Sequence, residues 1–455
     1  MGGRYRVRPT MLLAEVRALV RLAVPVVTVQ LGMMARGFVD TVLLGHLSEH
    51  ALGAGALGNA YVFFFLCFGM GVVMAADPVV AQAVGAQDHA ATARGVQRSL
   101  MLAGLFTLPS VVVLLFADTL LSWVRLGQHD ALGADAAGYA RISAWGALPF
   151  FAFVALRQSL QAMHRMAPIV WAIVLGNLLN VLLDWMFIFG RLGAPAMGVA
   201  GSAWATVLCR WLMPAILLVL AWPQLRPVLR PWHPDVLLAR PLWLLVRLGV
   251  PIGTQFCLEM GAFYGALLIM DHLGQTELGA HQVTVNLASL SFMVPLGISQ
   301  AAAVRVGNAI GRAEPAAARR SAWVALGAGA ATMSGFGVLF LTAPGWLATL
   351  YTNQAAVLTL AATLIPIAGV FQVFDGLQVV SIGILRGTGE THTPMLINIL
   401  GFWLLGVPTS LWLGLGMGGG APGVWWGLVI GLVTVAVALV ARVRIRLRQG
   451  LQRLV

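Results

Sequence analysis

Long apolar runs alternate with short polar segments along the whole chain. An α-helix needs about 20 apolar residues to cross the hydrocarbon core of a bilayer. The alternation that a membrane-spanning barrel requires is absent, so the runs indicate helices. The pattern predicts twelve spans, near residues 20–44, 51–76, 96–117, 138–162, 166–190, 196–222, 243–270, 278–304, 321–342, 357–381, 393–416 and 421–441.

One segment has the composition of a linker. It lies between the sixth and seventh predicted spans, where five prolines are interspersed with arginines. We therefore expect four regions: an N-lobe at residues 1–222, a cytoplasmic linker at 223–242, a C-lobe at 243–441 and a basic cytoplasmic tail at 442–455.

The two halves repeat each other in sequence at a constant offset of 226 residues. The matches include Arg21, Val24 and Pro25 with Arg247, Val250 and Pro251, and Gly71, Gly85, Arg94 and Pro168 with Gly297, Gly311, Arg320 and Pro394. Because each half contains an even number of spans, both halves begin on the same side of the membrane. The repeats are therefore parallel, an arrangement that encloses a central cleft able to open to alternate sides.

Composition excludes a water-soluble domain and gives the orientation of the spans. Hydrophobic residues make up 59% of the 455 positions and charged residues only 10%. All 28 basic residues are arginine; 23 of them, Arg157 and Arg165 included, fall on the side that holds both termini, against Arg125 and Arg191 on the other. This asymmetry predicts a multi-pass protein of the bacterial inner membrane with both termini cytoplasmic. It also explains the net charge of +12 without a nucleic-acid partner.

Four carboxylates inside apolar spans break the repeat. Asp40 corresponds to Ala266, Glu259 to Met33, Asp375 to Pro149 and Asp184 to Ser410. A charged carboxylate within a span costs about 2.5–3.5 kcal/mol on insertion scales, so each is expected to face a cavity or a partner.

The four carboxylates form two pairs of matched depth. At a rise of about 1.5 Å per residue, Glu259 and Asp375 lie roughly 17 Å from the cytoplasmic edge, and Asp40 and Asp184 lie about 10 Å from the outer edge. Polar side chains accompany both pairs: Asn177, Asn180 and Thr206 in the first half, and Gln255, Gln282 and Asn286 in the second. Such oxygen-rich clusters suit proton storage or a hard cation.

We therefore expect ion coupling at Asp40, Asp184, Glu259 and Asp375, with sodium as a candidate ligand of the last two and no other cofactor. A site that exchanges a proton or a sodium ion for a cationic substrate couples the two fluxes. Most phenylalanine and methionine side chains in the spans suit packing or lipid contact, but those on cavity-facing helices suit flat lipophilic cations as substrates. The expected partners are these small molecules and the lipid bilayer, and we expect a monomer.

Other interpretations stay open at this point. Each carboxylate could instead be a structural hydrogen-bonding group, and Arg36, one turn before Asp40, could pair with it directly. Arg210, deep in the sixth span, suits an ion pair, a snorkelling stem or a substrate contact. An enzyme is disfavoured because the sequence has no paired histidines, serine elbow or phosphate-binding loop, and its three cysteines lack metal-ligand spacing.

Sequence motifs extend over nearly the whole chain. They are Pro25 with FVDT at Phe38–Thr41, VAQAVGA at Val80–Ala86, LDWMFIFGRLGAPAMGVAG at Leu183–Gly201, PIGTQFCLE ending at Glu259, GAHQVTVNLASL from Gly279, RVGNAIG from Arg305 and FDGLQVVSIGILRGTG from Phe374. Together they resemble the multidrug and toxic compound extrusion (MATE) family, and in particular its NorM-like bacterial branch. The resemblance implies an all-α membrane protein whose twelve transmembrane helices, in two parallel six-helix repeats, form a V-shaped two-lobe transporter. Such a protein expels drugs and dyes in exchange for sodium ions or protons.

The resemblance also assigns site residues. They are Asp40, which matches the family's N-lobe aspartate; Glu259 and Asp375, its C-lobe acidic pair; Gln282 and Asn286, polar residues beside that pair; and Asn180 and Asp184, N-lobe polar positions. NorM-like proteins usually have asparagine where this chain has Asp184, and Arg36 is a second departure. The alternative function is a lipid-linked oligosaccharide flippase of the same superfamily, which favours a cationic cavity, and the predicted acids argue against that.

Overall fold

Twelve helices long and apolar enough to cross a membrane are present in the residues that the computed structural model describes, 9–124 and 131–454. Each overlaps one of the predicted spans, so the prediction of an all-helical protein with twelve spans is confirmed. Four arginines that the orientation argument counts, Arg4, Arg6, Arg8 and Arg125, lie outside the described residues. Spans 1 to 12 are Leu13–Leu47, Glu49–Gly85, His89–Leu115, Ala131–Ala162, Ala167–Phe189, Val199–Leu220, Ala239–Leu273, Gln275–Gly311, Pro315–Thr342, Ala355–Gly387, His392–Gly416 and Gly420–Arg448.

Short polar side chains and one glycine set several helix ends. The Ser48 hydroxyl accepts a hydrogen bond from the Ala51 N–H (3.0 Å) at the start of span 2. The Asp88 carboxylate does the same for the Ala91 N–H (2.9 Å) at the start of span 3. Both are N-caps, which satisfy backbone donors that a helix leaves unpaired in its first turn. Gly190 caps the end of span 5, and its φ of 68° lies in the left-handed region that favours glycine.

Three spans are not uniform α-helices. Span 2 consists of the helices Glu49–Val73 and Ala76–Gly85, and span 4 consists of Ala131–Ser143 and Ala147–Ala162 joined by a 3-10 turn. Span 11 contains the π-helical segments Ile399–Gly406 and Trp412–Gly416. The predicted linker holds a short helix, Trp222–Leu229, and a 3-10 turn, Pro234–Leu237.

The chain forms two compact units, which do not divide at the linker alone. One unit contains the chain from Gln255 onwards, the stretch Ala81–Gln87 and the leading part of span 1 as far as Val27. The other contains Thr28–Val80 and Asp88–Thr254. Each unit thus combines most of one six-span half with the leading part of the first span of the other half.

The divisions inside spans 1 and 7 fall just after a pair of prolines that the repeat matches. The first lies between Val27 and Thr28, shortly after Pro25, and the second between Thr254 and Gln255, shortly after Pro251. A proline inside a helix removes one backbone hydrogen bond and loosens the helix there. The sequence therefore places its repeated prolines where a span passes from one unit to the other.

Repeat-matched glycines mark where these leading segments cross a neighbouring helix. In one unit, a Cβ on Gly71 would overlap the backbone of Ile252 and Gly253 in span 7. In the other unit, a Cβ on Gly297 would lie 3.0 Å from the backbone nitrogen of Val27 in span 1. Only a residue without a side chain permits such close backbone approach. The glycine repeat thus reflects two equivalent helix crossings.

An acidic residue binds the leading part of span 1 to its unit. Glu15 has a side chain only 8% exposed and accepts hydrogen bonds from Arg305 (Nε, 3.0 Å) and from the Ser321 hydroxyl (2.5 Å). Arg320 lies 3.6 Å from its other carboxylate oxygen. Two arginines, one near the end of span 8 and one near the start of span 9, therefore neutralise the buried acid on span 1.

The other unit has an equivalent contact on the repeat partner of Arg320, which is Arg94. Asp235, just before span 7, lies 3.5 Å from the Arg94 guanidinium, and its backbone carbonyl accepts a hydrogen bond from Arg98 (3.1 Å). The amide of Gln97 donates to the carbonyls of Val228 and Pro231, each at 3.0 Å. The chain before span 7 is thus bound to span 3 in the same way as the chain at the start of span 1 is bound to span 9.

We expect Glu15→Gln to destabilise the protein by about 2 kcal/mol, because the negative charge that balances two arginines in a largely buried setting is lost. The midpoint of heat-induced unfolding in detergent measures this change. Glu314→Gln is the matched control, since Glu314 pairs with Arg312 at 3.2 Å but its side chain is 53% exposed. An exposed pair contributes little, so equal shifts for the two variants would contradict the proposed anchoring.

Candidate functional site

The first pair of carboxylates meets inside the unit that contains most of the N-terminal half. Asp184 on span 5 is fully buried, and its Oδ2 accepts a hydrogen bond of 2.7 Å from the Asn180 amide one turn earlier. The Asp40 carboxyl on span 1 is close enough to Asp184 to share a hydrogen bond with it. Each acid also has a buried Oδ1 without a hydrogen-bond donor among the described residues. Two adjacent carboxyls repel each other when both are ionised, so they need a proton or a nearby positive charge.

A small cavity opens beside this pair. Asp40 lines it together with Asn59, Tyr139 and Ser202 from spans 2, 4 and 6. Tyr139 is buried, and its hydroxyl approaches the side chain of Thr206. The cavity thus offers carboxylate, amide, phenol and hydroxyl oxygens within one group of helices.

Two arginines accompany the first pair. Arg36 does not form a direct ion pair with Asp40 among the described residues; its guanidinium donates to the Thr206 carbonyl (3.0 Å) and contacts the Met213 sulfur (3.5 Å). Arg210, one turn after Thr206, places its Cζ 5.4 Å from the centre of the Phe150 ring. Direct pairing of Arg36 with Asp40, considered from the sequence, is therefore wrong for this structure.

The polar residues expected around the first pair have different roles. Asn180 contacts Asp184, as described, and Thr206 is buried near Tyr139. Asn177 instead donates to the backbone carbonyl of Gly32 (2.8 Å), which joins span 5 to span 1. Asn177 therefore supports the packing of the two helices that carry the acids.

The second pair lies in the unit that contains most of the C-terminal half. Asp375 on span 10 is 7% exposed, and it interacts electrostatically with Glu259 on span 7. Glu259 accepts a hydrogen bond of 3.3 Å from the Gln378 amide, and the Gln378 carbonyl oxygen is buried without a donor. Among the described residues, no arginine or histidine forms an ion pair with either acid. The second pair is therefore an uncompensated acidic site.

Aromatic residues continue from the second pair along the same helices. Phe263, one turn after Glu259, packs against Phe371, one turn before Asp375, with ring centres 6.2 Å apart. Phe371 in turn contacts Trp425 at 6.0 Å. Phe371 and Trp425 are buried, whereas Phe263 is partly exposed, so Phe263 is the ring of this cluster that is open to a flat organic cation.

Three further residues that we expected beside the second pair form no hydrogen bond with it among the described residues. Gln255 is buried one turn before Glu259. Gln282 and Asn286 lie on an exposed face of span 8, where the Asn286 amide donates to the Gln282 carbonyl (2.9 Å). In the described part of the chain neither forms a hydrogen bond with Glu259 or Asp375.

Sequence reasoning missed Gln378 and Tyr139, although both had a detectable signal. Gln378 is a polar residue three positions after Asp375 on one helix face, and Tyr139 is a rare tyrosine at the start of an apolar span. It also counted Arg157 with the loop arginines, but Arg157 is 3% exposed inside span 4 and donates to the Gln30 side chain at 3.1 Å. The apolar run around Arg157 was long enough to show that it lies within the span.

Comparison with known proteins agrees with this architecture. The MatE family model matches the chain twice, at residues 25–186 and 251–412, and the second match is displaced by the same 226 residues as the sequence repeat. The chain is 35% identical over 444 residues to a probable multidrug resistance protein NorM of Mesorhizobium japonicum, covering 94% of this chain and 93% of the relative. It is 37% identical over 439 residues to the multidrug resistance protein NorM of Burkholderia vietnamiensis, with the same coverage.

Solved structures share the fold at lower sequence identity. The eukaryotic MATE transporter AtDTX14 superposes with a TM-score of 0.87 at 21% identity, over 95% of this chain and 96% of that one. A transporter of the MOP superfamily from Pyrococcus furiosus superposes with a TM-score of 0.85 at 19% identity, over 98% and 99% of the two chains. From the two family matches and the relatives above 30% identity over almost its full length, the chain belongs to the MatE family of membrane transporters, in its NorM-like bacterial branch.

Proposed function

We propose that the protein is a secondary active multidrug efflux antiporter that exchanges sodium ions or protons for organic cations. The observation that carries the proposal is the uncompensated pair of Glu259 and Asp375 inside helices of membrane-spanning length, with Asp375 buried and Glu259 partly exposed. Two neighbouring carboxylates in an apolar medium cannot both stay ionised without a counter-ion. A proton, a sodium ion and an organic cation all meet that demand.

Competition for one acidic site provides the coupling. When a proton or a sodium ion neutralises the acids, the attraction for an organic cation is lost and the substrate is released. When the ion leaves, the acids regain affinity for the next cation. The partly exposed Phe263 ring, held by its packing on Phe371, would supply contact with the flat part of the substrate.

The oxygen donors around Glu259 also suit sodium itself. Carboxylate and amide oxygens are the donors that hard cations prefer. Glu259, Asp375 and the free carbonyl of Gln378 lie together on spans 7 and 10 and would hold the ion. The same oxygens would hold protons equally well, so the choice of coupling ion is left to transport measurements.

The relatives named multidrug resistance proteins support this substrate class. The arginine asymmetry supports an inner membrane location with both termini in the cytoplasm. We further propose that the protein works as a monomer and that Asp40 and Asp184 belong to the transport pathway. Buried acids disfavour an anionic lipid-linked sugar as substrate.

Everted membrane vesicles test the proposal. Vesicles are loaded with sodium at equal pH, or acidified inside without sodium, and ethidium is added outside. Uptake of ethidium under one of the two gradients, abolished when that gradient is collapsed by an ionophore, is the expected result. Absence of gradient-dependent uptake for ethidium and other cationic dyes would reject the antiporter.

A further inference from the structure

The two acidic pairs differ in their charge balance. In the first, Arg210 lies within electrostatic reach of Asp40, and Arg36 lies within electrostatic reach of Asp184. Two carboxylates and two guanidiniums sum to zero. The second pair, Glu259 and Asp375, has no cationic partner among the described residues. The first pair is thus already neutral when all its groups are ionised, whereas the second pair carries two uncompensated charges.

Arg36 is held in place by contacts that do not use the carboxylates. It lies one turn before Asp40 on span 1, and its two terminal nitrogens contact the Thr206 carbonyl at 3.0 Å and the Met213 sulfur at 3.5 Å. Both contacts are on span 6. The guanidinium is therefore fixed between two helices beside Asp40 and Asp184, so its charge stays at the site whether or not another ion is present.

Arg210 adds a second fixed cation on the other side. Its Cζ lies 5.4 Å from the Phe150 ring centre, and one of its terminal nitrogens is buried without an acceptor among the described residues. A buried guanidinium that lacks a full set of acceptors is stable only in a negative field. Asp40 is the acid that provides this field.

We propose that Arg36 is a tethered counter-ion that excludes sodium from the Asp40–Asp184 pair and so determines the ion specificity of the N-terminal half. A sodium ion entering there would give a buried site an uncompensated positive charge. This inference rests on the proposed cation exchange, and it confines sodium exchange, where it occurs, to Glu259 and Asp375. Removal of the Arg36 charge leaves a net charge of minus one, which one monovalent cation would neutralise.

Binding of radioactive sodium to the purified protein at alkaline pH tests this role. The reference variant carries Glu259→Gln and Asp375→Asn, which removes the second pair. We expect it to bind no sodium saturably, and the additional change Arg36→Met to create one saturable site per chain. Further addition of Asp40→Asn should remove that site again, because the carboxylate is its ligand.

The controls separate charge from structure. Arg36→Lys in the same reference keeps the charge and should create no site, whereas a merely structural role for Arg36 predicts no gain of sodium binding in any variant. Absence of a site in the Arg36→Met variant overturns the inference, as does Asp40-dependent sodium binding in the reference variant itself. The elution profile in size-exclusion chromatography shows that each variant is folded. Ethidium exchange by the unaltered protein is measured separately, so a failure of the antiport proposal is distinguishable from a failure of this one.

Discussion

Replacing Asp375 by asparagine is expected to abolish dye extrusion while the protein remains folded in the membrane. The side chain keeps its size, but one of the two charges that attract a cation to the second pair is lost. Two unit charges about 4 Å apart attract each other by about 4 kcal/mol at an effective dielectric constant near 20. That is about a thousandfold in affinity for the ion or the substrate, so extrusion should fall to the level of cells without the transporter.

Ethidium efflux from energised cells is the measurement, normalised to the amount of protein in the membrane. Glu259→Gln should have the same effect for the same reason, and Asp40→Asn should also abolish efflux if the first pair belongs to the pathway. Asp118→Asn is the matched control, because Asp118 lies outside the twelve spans and is a half-exposed carboxylate that pairs with Arg141 at 2.8 Å. Unchanged efflux in the Asp375, Glu259 and Asp40 variants together would reject the proposed exchange.

The spans and the two acidic pairs could be predicted from sequence because the membrane imposes simple rules. An apolar run of sufficient length has few alternatives to a helix, and a carboxylate inside it is expensive enough to be informative. Depth alone then matched Glu259 with Asp375 and Asp40 with Asp184, and in the structure both pairs lie close enough to interact. Counting residues from a helix end was sufficient because the rise per residue of a helix is constant.

The partners of long side chains could not be predicted in the same way. Helical spacing allowed Arg36 to pair with Asp40, but the side chain extends to the Thr206 carbonyl of another helix. Asn177 shares a helix face with Asn180, yet it binds the backbone of Gly32. Spacing along one helix gives the direction of a side chain; the contact it makes depends on the helix packed against that face.

Sequence patterns also could not show that the leading part of span 1 packs with the C-terminal half, and the leading part of span 7 with the N-terminal half. The repeat matched Pro25 with Pro251 and Gly71 with Gly297, which shows that these positions are equivalent. It does not show which helix faces each glycine, because crossings depend on the packing of ridges into grooves across the whole bundle. The structure supplies that information and gives the glycine repeat a physical reason.

Alanine at position 71 is expected to reduce the stability of the folded protein severely. The added Cβ would overlap the backbone of Ile252 and Gly253, and a backbone inside a packed helix pair cannot turn away as a flexible side chain can. Overpacking of a tight core costs about 1–3 kcal/mol, and a clash with backbone should lie at or above the upper end of that range. We expect a much lower yield of monodisperse protein and a lower midpoint of heat-induced unfolding in detergent.

Alanine substitutions at two other glycines allow the expected losses of stability to be ranked. Gly297→Ala meets the Val27 side chain first, which can shift, and the Val27 backbone nitrogen only at 3.0 Å, so its effect should be intermediate. Gly104→Ala is the matched control, because nothing lies within 4 Å of the added Cβ and alanine is favoured over glycine in a helix by about 1 kcal/mol. The same chemical change should therefore destabilise at Gly71 and be neutral or stabilising at Gly104. Equal unfolding midpoints for these two variants would show that the close crossing of spans 2 and 7 does not contribute to the stability of the fold.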